Sequence, residues 1–233
     1  MVRQNTTAIL VDGAFYRRRS YALFGDKGPD ERASELINYC YRHLFERGEQ
    51  VSSLYRIFYY DCLPLDKNIY HPFYGRPIDM RHTDTYDWSL KFFDALECKR
   101  KVAMRFGQIQ ERESGFRIKA KTINRLFRGE MSLDDVIASD FEPDFTQKGV
   151  DMRIGLDIAS LANKRLVSQI VLIAGDSDFV PAAKHARREG IDFVLDPMWQ
   201  GIRPELNRHV DGVISRVTKH PDPENEPLCM RQQ

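Results

Sequence analysis

The stretch that most limits what this chain can fold into runs from Gln169 to Pro181, Gln-Ile-Val-Leu-Ile-Ala-Gly-Asp-Ser-Asp-Phe-Val-Pro. Its first half is a short β-branched apolar run ending at Gly175, the composition of a strand covered on both faces, as in a parallel sheet. Asp176 and Asp178 follow directly. Two acids beside a buried strand end are disfavoured by desolvation and mutual repulsion unless a cation or a set of donors holds them. A helix start explains one of them, since Ser or Asp is a favoured N-cap and Pro181 suits a first turn whose N–H groups lack partners anyway. Capping leaves the second acid unexplained, so a metal-binding or catalytic role is expected for the pair.

The same punctuation recurs along the chain. Thr7 to Val11 is an apolar strand ending in Asp12-Gly13, and Ser53 to Tyr60 is an aromatic, β-branched strand ending in Asp61. Glu31 to Arg47 carries Leu36, Ile37, Cys40, Tyr41 and Leu44 on an amphipathic stripe stopped by Gly48. Residues 62–87 lose any period of 2 or 3.6 and are expected to form a long excursion. Trp88 to Cys98 resumes helical spacing, and Val102 to Ile109 reads as a strand. Between Lys99 and Arg128 lies the main basic segment, interleaved with Phe106, Phe116 and Phe127, either a solvated stretch or a phosphate-contacting patch.

Gln147 to Asp151 opens a helix whose buried stripe is Val150, Ile154, Ile158 and Leu161. Asp151 falls in the first turn, where the helix dipole favours an anion. Asp157 lies about 9 Å further along the axis beside core positions, where a structural hydrogen bond is the expected role. The helix after Asp178 ends at Gly190, Ile191 to Leu195 is the next strand, and Asp211 to Ile214 adds a short last one. Alternation of apolar strands and helices indicates an α/β doubly wound sheet, whose site lies at the carboxyl ends of the strands where strand order reverses. Asp12 and Asp176 meet there if their strands are neighbours. With Asp151 and Asp178 they form an all-oxygen cluster suited to Mg²⁺ or Mn²⁺ rather than zinc.

Composition sets the boundaries of this reading. At 233 residues, 42% hydrophobic and 30% charged, the chain can bury a sizeable core. The formal net charge of +1 supplies no long-range attraction to nucleic acid, which must come from local patches. Cys40, Cys62, Cys98 and Cys229 form no Cys-x-x-Cys pair, which argues against a zinc site and a disulfide scaffold. No apolar run reaches the ~18 residues of a membrane span, and a cytoplasmic location is expected. The Pro- and acid-rich stretch from His220 onwards cannot bury surface and is expected to be a disordered tail, 220–233.

Taken in order, Asp12-Gly13, Lys148-Gly149-Val150-Asp151 and Gly175-Asp176-Ser177-Asp178-Phe179-Val180-Pro181 resemble the NYN-domain proteins, PIN-like ribonucleases of the LabA-like kind. The resemblance extends from about Ala8 to Val217, the Tyr59-Tyr60-Asp61 strand end included. It implies one domain over 1–219 with a PIN-like, Rossmannoid, mostly parallel sheet flanked by helices on both faces. It also implies a divalent-metal ribonuclease, endonucleolytic, with Asp12, Asp151, Asp176 and Asp178 as metal ligands and catalytic groups. Ser177, Asp157 and Lys148 stand as supporting residues, and Arg17, Arg18, Lys119 and Lys121 as contacts to single-stranded or structured RNA. An oligomer is left open. The family often has Asn three residues after its first Asp; this chain has Phe15, so an amide that could orient water or phosphate is missing. That departure favours a competing reading, a non-catalytic RNA- or protein-binding adaptor on the same fold. A haloacid-dehalogenase-like phosphatase fits less well, because its Asp-x-Asp pair should follow the first strand, where Asp12 is followed by Gly13 and Ala14.

Overall fold

In the computed structural model, which describes residues 5–217 apart from the side chains of 111–114 and 177, the chain divides into two compact units. The first takes the residues up to Asp61, Lys91–Gly107 and those from Gly149 on, and the second takes Cys62–Leu90 and Gln108–Lys148. The expected tail from 220 lies outside the described residues. In chain order the elements begin with β1 (Thr6–Asp12), α1 (Gly13–Phe24), α2 (Pro29–Arg42), β2 (Phe45–Glu46), β3 (Glu49–Gln50) and β4 (Ser53–Cys62). There follow β5 (Asn68–His71), β6 (Arg76–Asp79), α3 (Asp84–Glu97), β7 (Val102–Ile118), α4 (Ala120–Phe127) and β8 (Phe141–Lys148). The chain closes with α5 (Val150–Asn163), β9 (Gln169–Ile173), α6 (Val180–Arg188), β10 (Asp192–Asp196), α7 (Pro204–Asn207) and β11 (Gly212–Val213).

The first unit is a mostly parallel sheet flanked by helices. Ala8, Ile9, Leu10 and Val11 of β1 and Ile170, Leu172 and Ile173 of β9 are wholly buried, which is why both strands read as unbroken apolar runs rather than alternating ones. β1 lies between β4 and β9 and runs parallel to both; β10 is parallel to β9, and β11 to β10. From β1 the chain builds outward through β4 to β7 on one side and returns through β9, β10 and β11 on the other. Strand order therefore reverses between β1 and β9. The pairing Val11 with Ile173 brings Asp12 level with the start of the Gly175-Asp176 turn, and Asp12 pairs with Tyr60, one residue before Asp61.

In the second unit the far half of β7 pairs antiparallel with β8, from Gln108 opposite Lys148 to Ile118 opposite Phe141. The stretch 62–87 is less irregular than its sequence suggests. β5 and β6 form an antiparallel hairpin, with Ile69 and His71 buried and Tyr70 outward, turned at Gly75 with a φ of 61°. Strands of four residues, with one buried aliphatic on the first, are too short to show a period.

Two boundaries also differ from the sequence expectation. The helix expected to reach Arg47 ends at Arg42, because Arg47 and Gly48, at φ 49° and 88°, form the tight turn of the hairpin between β2 and β3. The strand expected to end at Ile109 continues to Ile118, with β8 as its partner.

Candidate active site

The candidate site lies in the first unit, at the carboxyl ends of β1, β4 and β9 and the start of α5. Asp12 is the N-cap of α1, its Oδ1 accepting from the Phe15 N–H at 3.1 Å. Burial above all raises its pKa from 3.8 to about 6, and the negative charges of Asp151 and Asp61 add to that, against the Phe15 N–H and the Arg18 cation. Asp151 stands in the first turn of α5, entered through Gly149 at φ 79°. Its pKa is raised as well, by burial first and then by Asp176 and Asp178. Asp151 thus links Asp12 electrostatically with the pair after β9.

Asp176 and Asp178 are exposed, and Asp176 Oδ1 accepts from the Asp178 N–H at 3.2 Å. The desolvation expected for this pair from the sequence therefore falls on Asp12. The physical reason is that residues 174 and 175 carry the chain beyond the end of β9 before the acids arrive, whereas Asp12 is itself the last residue of β1.

From the sequence Asp61 reads as an acid ending a strand, and the structure adds it to the surroundings of Asp12. It is wholly buried, with Arg17 Nη2 at 3.0 Å from Oδ1 and the Tyr59 hydroxyl donating to Oδ2 at 3.0 Å. These groups crowd Gly13: a Cβ there would stand 2.5 Å from Asp61 Oδ2 and 2.6 Å from the Tyr59 hydroxyl oxygen, so only glycine fits after Asp12. The signal that could have found Asp61 is its place at the end of the strand beside β1. Arg17, expected to contact RNA, is committed to Asp61, while Arg18 is exposed and lowers the pKa of Asp12.

Phe15 stands three residues after Asp12, in the first turn of α1. Its ring is buried, and a Cβ on Gly175 would come within 2.5 Å of its Cε2. The ring therefore packs against the turn that carries Asp176. Asp157, further along α5, accepts from the Tyr60 hydroxyl at 2.8 Å and from Arg105 Nε at 3.1 Å, which ties α5 to β4 and β7. Ser177 lies in the turn Ser177–Phe179, and its side chain is outside what the structure describes. In the second unit, Lys148 ends β8 and is exposed, Lys119 Nζ donates to the Ser139 carbonyl at 2.6 Å, and Lys121 is exposed on α4.

Among the described residues, no three His, Cys, Asp or Glu side chains are gathered closely enough to hold a metal ion as they stand. The donor set nevertheless suits a hard divalent cation. It is made of carboxylates, and burial first, then the negative charges of Asp151 and Asp61, hold the half-buried Asp12 above the usual carboxylate range, where a cation would be favoured.

A parallel-stranded α/β sheet with acids converging at its switch point defines the class of protein. The family model of the NYN domain matches residues 92–215, more than half of the chain, and the chain belongs to that family and so to the PIN-like nuclease superfamily. Asp151, Asp176 and Asp178 fall inside the matched segment, and Asp12 and Asp61 precede it. No curated protein matches in sequence. Among solved structures the chain is similar to a protein of unknown function from Vibrio parahaemolyticus at 12% identity and a TM-score of 0.48, over 94% of this chain and 96% of that one. It is also similar to a nicotinamidase from Staphylococcus aureus at 12% identity and a TM-score of 0.29, over 88% and 91%. No helix among the described residues is long and apolar enough to cross a membrane.

Proposed function

We propose that this protein is a divalent-metal-dependent ribonuclease that hydrolyses RNA phosphodiester bonds endonucleolytically, with Asp12, Asp151, Asp176 and Asp178 around the reacting phosphate. The observation that carries this reading is the placement of four acids at the point where strand order reverses: Asp12 ends β1, level with the turn after the neighbouring β9 that carries Asp176 and Asp178, and Asp151 opens α5 close enough to all three to be felt electrostatically. Acids gathered around a half-buried carboxylate cost stability, and their mutual repulsion supports a site built for a cation. Mg²⁺ or Mn²⁺ held by these four would supply Lewis-acid charge to the phosphodiester and an activated water. The rest of the work belongs to the chain. Asp61, fixed by Arg17 and Tyr59, adds negative potential at Asp12 and holds the end of β4 against Gly13. Asp157 positions α5, and so Asp151, through Tyr60 and Arg105. Lys148 and Ser177 are supporting groups, and Arg18, Lys119 and Lys121 contact RNA phosphates.

The test is cleavage of labelled single-stranded RNA, linear and circular, with Mn²⁺ and with EDTA. Cleavage of the circle with Mn²⁺, lost in EDTA and reduced about a hundredfold or more by Asp176→Asn, is the expected result. Equal turnover by Asp176→Asn or in EDTA would refute the assignment. Phe15 filling the place of the amide favours one second reading, an adaptor that binds RNA without cutting it. Its signature is tight RNA binding with no cleavage at any metal concentration.

A further inference from the structure

At the other end of the same sheet, the first unit carries a groove of about 740 Å³ between the last turns of α6 and the turn from α7 to β11. Lys184, Arg187, Arg188 and His209 line it, together with Asp192 and Asp211. The two acids are engaged: Asp211 receives Arg187 Nε at 2.8 Å and the Phe193 N–H at 2.9 Å, and Asp192 receives Gln169 Nε2 at 2.7 Å. No ion pair among the described residues ties Lys184, Arg188 or the neighbouring Arg208. Cations in a last helical turn complement the helix dipole, which accounts for Arg187 and Arg188 alone. Lys184 comes from the middle of α6, and Arg208 and His209 come from a different element. Their convergence is felt at His209, whose pKa is lowered by burial and then by Lys184, Arg187 and Arg208, with Glu205 opposing.

We propose that this groove is a phosphate-binding subsite that holds the RNA backbone away from the reaction centre, an inference that rests on the ribonuclease reading. Acids at the carboxyl ends of β1 and β9 repel a polyanion, and a net charge of +1 offers no general attraction, so affinity must come from a local positive patch. The groove is a patch of that kind. Gly190 and Ile191 bring it to the amino end of β10, and five strand residues separate the two ends by about 16 Å. One RNA strand long enough to follow the domain surface can engage both, whereas a di- or trinucleotide cannot.

Binding of fluorescent single-stranded RNA in EDTA, across a range of KCl concentrations, tests this without any cleavage step. The double variant Lys184→Gln/Arg188→Gln should bind a long RNA about tenfold more weakly, with the slope of log K against log salt reduced by about 0.7 for each lost phosphate contact. It should melt at the same temperature as the wild type. In parallel, inorganic phosphate titrated against the wild type should shift the His209 imidazole resonances. Unchanged affinity and salt slope for the long RNA would overturn the groove while leaving the ribonuclease reading intact. A His209 response to phosphate with unchanged RNA affinity would assign the groove to a free phosphate compound and overturn the RNA assignment. A wild type that neither binds nor cuts RNA would overturn both.

Discussion

Asp12 and Asp196 each end a buried parallel strand of the same sheet, and the two strand ends are built in opposite ways. Asp196, wholly buried at the end of β10, is surrounded by donors. The Tyr39 hydroxyl stands at 2.6 Å, His43 Nε2 at 2.8 Å, the Met198 N–H at 2.7 Å and the Ser215 hydroxyl at 2.9 Å. This network fixes a loop in which Met198 and Trp199 adopt φ values of 46° and 59°, and the Arg19 guanidinium holds the Met198 carbonyl as well. Asp12 receives one backbone N–H and faces other acids. A buried carboxylate is therefore no sign of function in itself. What distinguishes the two ends is whether the fold supplies donors for the charge or withholds them.

The comparison is broken most directly at β10. Asp196→Ala should destabilise the protein by about 3 kcal/mol or more in urea titrations, because several buried donors lose their acceptor together. A change under about 1 kcal/mol would mean that the network is not what holds the 198–199 loop.

At β1 the sign should invert. The folded pKa of Asp12, about 6, lies above its unfolded value of 3.8, so protons favour the fold. Wild-type stability from this group is present in full below about pH 4 and is lost as pH rises through about 6. Two units correspond to about 3 kcal/mol at most. Asp12→Asn should therefore stabilise the protein by about 1–3 kcal/mol at pH 8 and by almost nothing at pH 4, while abolishing cleavage. Mn²⁺ should raise the melting temperature of the wild type with the logarithm of its concentration, and that of Asp12→Asn much less. Equal stability of the two proteins at pH 8 would show that the Asp12 charge is already compensated.

Smaller effects sharpen the boundary of the site. Gly175→Ala should cost about 1–3 kcal/mol, since the new methyl meets the Phe15 ring and Gln200 Nε2. Asp157→Asn should cost about 1 kcal/mol, with the Mn²⁺ response retained, because its partners are Tyr60 and Arg105 rather than the other acids.

The parts of this arrangement that can be read from sequence are those written in short windows. Apolar runs closed by an acid mark the ends of β1, β4 and β9 because a strand covered on both faces must be continuously hydrophobic, and the change to Asp is abrupt. Which strands are neighbours is a long-range fact. Asp61 could be seen to end a strand, but its Arg17 partner lies 44 residues upstream, and only the pairing of β1 with β4 brings the two together. The Asp196 network draws on Tyr39, His43 and Ser215 from separate elements and leaves no local pattern. The exposure of Asp176 and Asp178 depends on how far the chain runs past β9 before turning, which hydrophobicity does not report. The β5–β6 hairpin leaves no signal in the sequence because it is short and one of its two inward residues on β5 is a histidine.

The packing of Phe15 on Gly175 has a bearing on the history open to this chain. Replacing Phe15 by the smaller, polar Asn would open a void against the bare glycine and leave the amide facing a gap, while adding a methyl at 175 would collide with the ring and with Gln200 Nε2. Each single step costs stability, and because the two positions meet, their effects should not add. Drift at either one is held in check by the other. Changes that keep an aromatic ring beside the acids are therefore more accessible to this chain than an amide at position 15.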